Sequence, residues 1–143
     1  KIEECDIVYA YPSFGPMYVK GGNEDGSDYI KISGFDANHE DARRPRAGVA
    51  QLANGDYVFI EVDGDKSTQY SYNGCTSEGM TMQEFYDYVM NVVQEELGEE
   101  IVFFNQNDGG SSSTLILNGE SIDNVTEHRS SGERPRPDGL YVM

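Results

Sequence analysis

Side chains with nucleophilic or metal-ligating chemistry are few in this chain, and they are scattered. Besides its carboxylates it offers Cys5, Cys75, His39 and His128. A nucleophilic enzyme needs a base held beside its nucleophile. Cys75 stands in YNGCTSEG ahead of a helix-forming stretch, where a thiol's pKa is lowered, but neither histidine lies near it in sequence. The plainer readings are an ordinary loop residue, or half of a disulfide with Cys5. Such a bridge would close a loop of about 70 residues and add about 4 kcal/mol on the chain-entropy account. Without a short-spaced Cys or His pair, a tetrahedral zinc site is disfavoured.

Calcium is the metal that the turns suit best. Asn23, Asp25 and Asp28 in NEDGSD, and Asp63 and Asp65 around Gly64, are oxygen ligands at turn spacing. In the register of a helix–loop–helix calcium site the closing ligand would fall on Ile32, and no helices flank the loop. Solvated turn carboxylates are the simpler account, and no cofactor is expected. No dinucleotide fingerprint, phosphate-binding loop or nucleophile elbow is present. Carboxylates are plentiful, yet nothing in their spacing singles out the pair that a glycosidase uses. The expectation is a protein that is not an enzyme.

The charge is lopsided. The 143 residues carry a net −16. Residues 57–127 hold only Lys66 against 14 acidic residues. So anionic a middle repels phosphate backbones, which argues against direct nucleic-acid binding and for a basic or cationic partner, or simply for solubility. No apolar run is long enough to span a bilayer. No signal peptide is visible, and a chain beginning at Lys1 leaves the compartment open, with an extracellular or virion location slightly favoured.

The elements that must position these groups centre on residues 81–97. Met82, Phe85, Tyr86, Val89, Met90, Val93 and Leu97 recur at spacings of three and four and predict one apolar helix face. Thr81 with Glu84 forms a capping box, and Gly98 is a left-handed cap. Strands are expected at 5–11, 17–20, 29–33, 47–52, 57–63 and 67–72, with turns at Asn54-Gly55 and Gly64-Asp65-Lys66. Residues 35–46 are expected as an exposed loop. Ile101–Phe104 predicts a strand buried on both faces, and 105–113 a flexible loop. Short strands at Leu115–Leu117 and 139–143 would close the fold.

The order strand, strand, helix, strand, short strand, strand from residue 57 onward resembles the ubiquitin-like β-grasp fold. Leu115–Asp123 and the closing DGLYV are similar to its fourth and fifth strands. The resemblance implies a mixed sheet curled over one helix, here with residues 1–56 as a β-meander extension, 57–125 as the core and 126–143 as an irregular tail. The chain ends Tyr141-Val142-Met143 without a Gly-Gly tail, so the conjugation and sulfur-carrier roles of such proteins do not carry over. The expected fold class is α+β, as one domain.

Two surfaces stand out as interaction sites. One is the acidic helix face with the two glutamates just beyond it: Glu84, Asp87, Gln94, Glu95, Glu96, Glu99 and Glu100. The other is a pair of basic, proline-stiffened loops, Arg43-Arg44-Pro45-Arg46 and Arg134-Pro135-Arg136-Pro137, which would fold back on the acidic surface or dock on another copy. The pairs Tyr9–Tyr11 and Tyr70–Tyr72 each share a strand face and suit core packing or a sugar-stacking platform. Asn124-Val125-Thr126 is a glycosylation sequon that matters only in a secreted eukaryotic protein. Together these features favour an acidic protein-interaction module, a structural or accessory part of a virion or extracellular particle, with a protein partner of its own or another kind. The alternatives are an inhibitor that blocks a basic nucleic-acid-binding protein, and a secreted carbohydrate-binding module.

Overall fold

The computed structural model describes residues 15–34, 37–64, 70–72 and 75–122. Five strands form one sheet: β1 (Met17–Val19), β2 (Tyr29–Lys31), β3 (Arg46–Leu52), β4 (Tyr57–Val62) and β7 (Ile101–Gln106), in the order β2-β1-β7-β3-β4. Every pairing in it is antiparallel. This corrects the expected mixed sheet, and the described strands do not establish the β-grasp order. Tyr70–Tyr72, expected to pair with 57–63, instead forms a separate two-stranded sheet as β5 with β6 (Cys75–Ser77). Ile116–Leu117 (β8) likewise pairs with Glu120–Ser121 (β9), around Asn118-Gly119, in a second two-stranded sheet.

One face of the five-stranded sheet packs against the long helix. Tyr18, Ala50, Leu52, Ile60, Ile101 and Phe104 from the sheet meet Phe85 and Val89. Phe104 sets its ring edge-on to Phe85, centroids 5.5 Å apart, and fills the space beside Gly48, where a Cβ would stand 2.8 Å from the ring. A register shift between Gln51 and Leu52 lets Ile101 and Phe104, three residues apart, bury on the same side. Central position, rather than alternation, dictates the unbroken apolar run.

The helix starts as the capping box requires. Glu84 N–H donates to Thr81 Oγ1, while Thr81 N–H donates to Glu84 Oε2. It runs as α2 (Met82–Asp87), a π-helical segment at Tyr88–Val93 and α3 (Gln94–Leu97), and ends on left-handed Gly98 (φ 66°). Gln94 N–H donates to Val89 O, five residues back. This wider turn inserts the equivalent of one residue and rotates everything after it relative to an uninterrupted α-helix. Met82, Phe85 and Val89 are therefore buried as the spacing predicts, whereas Leu97 is 44% exposed. Gln94 turns inward instead, its Oε1 accepting Ile101 N–H at 2.8 Å.

Residues 37–46 are not a plain exposed loop. Ala37–Glu40 forms a short helix, α1, and Arg44 makes an antiparallel bridge with Met80. The strand expected at 5–11, Cys5, the Tyr9–Tyr11 pair, Asp65, His128, the sequon, Arg134, Arg136 and the closing strand lie outside the described residues. No helix among the described residues is long and apolar enough to cross a membrane.

Candidate functional site

Strand alternation places Arg46, Gly48 and Ala50 of β3 on the helix face, opposite Gln106 and Phe104 of β7. Toward the helix C-terminus this face is an apolar core. At the other end the sheet turns polar abruptly: Arg46, Asn105, Gln106 and Ser113 are all at most 3% exposed. Asn105 lies on the opposite face, beside the equally buried Val49. Buried polar groups are costly unless bonded, so a fold stabilised by packing alone gains nothing from four of them here.

The chain leaves β7 into a turn held by backbone bonds. Gln106 N–H donates to Pro16 O, Asn107 N–H to Ala47 O and Gly110 N–H to Pro45 O, each at 2.9 Å. Asn105 Nδ2 donates to Asn107 Oδ1 at 3.2 Å. Gly109 passes so close to Pro45 that a Cβ on it would stand 2.8 Å from the carbonyl oxygen, and Gly110 has φ 62°. Only glycines fit this path. A short 3-10 turn, Gly110–Ser112, follows. Asp108 is exposed at the tip. Gln106 Oε1 and Ser113 Oγ have no hydrogen-bond partner among the described residues.

Arg46 closes the site from below. Its Nε donates to Met80 O, and its Nη2 donates to both His39 O and Ala42 O, all at 2.8 Å. No carboxylate pairs with it among the described residues. Burial, with Arg44 alongside, lowers its pKa to about 10. Arg43 is different: its Nη1 meets Glu84 Oε1 at 2.5 Å and its Nε stands 3.7 Å from Glu78. The basic stretch is thus turned into the fold.

Of the acidic face, Glu84 is taken up by the cap and Arg43, Gln94 by Ile101, and Glu100 by Lys20 at 2.5 Å. Asp87 accepts from Gln83, and Glu95, Glu96 and Glu99 are exposed. The calcium candidates are engaged one by one. Asp28 accepts from Tyr18 Oη and Gly21 N–H, Asp25 from Ser27, and Asn23 donates to Ser27 Oγ and Asp28 O. Bonds from Gly21 and then Tyr18 hold Asp28 below the usual carboxylate range, and bonds from Ser27 do so for Asp25. Asp63 accepts Ser77 Oγ–H at its backbone carbonyl. No cluster of three or more metal-ligating side chains forms among the described residues.

The residues 105–113, read from sequence as a flexible loop, were the missed feature. The available signal was position. NQND continues a strand expected to be buried on both faces, and its first two amides, Asn105 and Gln106, are the buried last residues of β7. Asp108 stands exposed on this polar turn at the end of a central strand, and such loops commonly carry binding or catalytic residues. The model of the phosphodiester glycosidase family matches residues 1–143. The chain belongs to that family, an enzyme family. This overturns the expectation of a non-enzymatic, structural or viral assembly module, together with its inhibitor and carbohydrate-binding alternatives. Charge, tyrosine content and loop style describe a surface, and they did not register the buried polar end of β7. No curated protein and no solved structure matches the chain.

Proposed function

We propose that this chain hydrolyses sugar 1-phosphodiesters at the glycosidic bond, with the turn 105–113 as its substrate-facing element and Asp108 as the carboxylate of that turn. The observation that carries the reading is the buried polar end of β7, where Gln106 Oε1 and Ser113 Oγ have no hydrogen-bond partner among the described residues, in a chain of this family.

The chemistry fits one exposed carboxylate. Breaking the C1–O bond builds positive charge on the sugar and expels a phosphate monoester. A phosphate leaves readily without full protonation. The main demand therefore falls on stabilising C1 and activating water, which a carboxylate meets as base or nucleophile. Rigid backbone anchors at Ala47 and Pro45 hold the turn in place, as positioning requires.

Hydrolysis of glucose 1-(4-nitrophenyl) phosphate in oxygen-18 water tests this. Glycosidic cleavage gives unlabelled 4-nitrophenyl phosphate. Label in the phosphate, or hydrolysis of none among a panel of sugar 1-phosphodiesters, overturns the reading. Asp108→Asn is expected to lower kcat about 10²- to 10⁴-fold with the fold intact by circular dichroism.

A further inference from the structure

The geometry points to Arg46 as a positioning residue for this reaction, one that never touches substrate but holds the Asn107–Gly110 turn in its working place. The inference rests on the reading of that turn as the site.

Arg46 is 2% exposed, too buried to reach a ligand. Its backbone neighbours are the turn's support: Ala47 O takes Asn107 N–H, and Pro45 O takes Gly110 N–H. Its side chain fixes that support to the rest of the fold. One planar fork spans Met80 O, just ahead of the long helix, and His39 O and Ala42 O, from α1 and the bend after it. Three carbonyls from two segments, which the Arg44–Met80 bridge also joins, converge on a single guanidinium.

An ammonium could keep the charge, but not the fork geometry that reaches all three. A buried cation bonded to neutral carbonyls is costly to the fold. An apolar side chain would fill this place at less cost if packing were the only requirement. What the guanidinium provides is a fixed separation between strand 45–47, the helix entry and α1, and the turn inherits that separation through two backbone bonds.

The test pairs a structural readout with a kinetic one on Arg46→Lys. Amide exchange by NMR is expected to quicken about tenfold or more at Asn107 and Gly110, while amides of the β3–β4 ladder keep their protection. Turnover of the diester is expected to fall about 10- to 100-fold in kcat, with KM within about twofold. Unchanged exchange at Asn107 and Gly110 overturns the inference, as does faster exchange with unchanged kcat. If Arg46→Lys loosens the whole sheet, Gly109→Ala replaces it. That variant pushes the turn off Pro45 while leaving Arg46's bonds in place, and it should reproduce the kcat loss; full activity in it sinks the idea. Absence of diester hydrolysis by the parent chain would instead defeat the functional reading, while the exchange result would still decide whether Arg46 holds the turn.

Discussion

Glu84 serves two partners at once, the N–H of Thr81 and the guanidinium of Arg43. The Thr81 bond first, and then Arg43, hold its carboxyl below the ordinary 4.5. The folded state thus binds fewer protons than the unfolded chain between that depressed value and 4.5, and the stability it contributes is present above this window and lost as pH falls through it. Urea midpoints of the parent chain should drop on acidification below about pH 4.5, and Glu84→Gln should flatten that slope; an identical slope in both would contradict this. Tyr18 works at the other extreme. Burial, reinforced by its bond to Asp28, raises its pKa from 10.0 to about 12. A raised phenol stabilises the fold fully below 10 and ceases to do so as pH rises through about 12. Tyr18→Phe should remove that alkaline dependence in the same assay.

Among the elements, the long helix shows how one inserted residue reassigns a face. Val89 and Gln94 bond five apart, so the inward stripe passes from Val89 to Gln94 and bypasses Leu97. Gln94→Ala would strand the N–H of Ile101, a residue with no exposed surface, and should cost about 1–3 kcal/mol in urea unfolding. Leu97→Gln should stay within about 0.5 kcal/mol, although an uninterrupted α-helix would make Leu97 a core residue. Phe85→Ala, at the true centre of the stripe, should cost about 3–5 kcal/mol.

For the whole molecule, the net charge of −16 bears on the anionic diester proposed as its substrate. Arg43 is neutralised by Glu84 and Arg46 is buried, so at long range the approaching diester meets a negative field. Salt screens that field over about 10 Å at 0.1 M. Raising ionic strength from about 0.01 to 0.15 M should therefore increase kcat/KM for the diester, opposite to the usual loss for electrostatically steered enzymes, and leave a neutral aryl glucoside unaffected.

Several features were legible in the sequence because they depend on neighbours along the chain. The capping box at Thr81 and Glu84, the Gly98 cap, the Asn54-Gly55 turn between β3 and β4 and the strand at Ile101–Phe104 all arise from local hydrogen bonding or from hydrophobic runs, although Val102 and Phe103 are only half-buried. What only the tertiary structure decided depends on partners far away in the chain. Arg46, in a basic stretch that reads as solvated, is buried because Met80, 34 residues on, supplies a carbonyl to it. The residues 105–113 form a fixed turn because Pro16, Pro45 and Ala47 receive their N–H groups. A side chain's type states what bonds it needs; only the fold determines which distant backbone provides them.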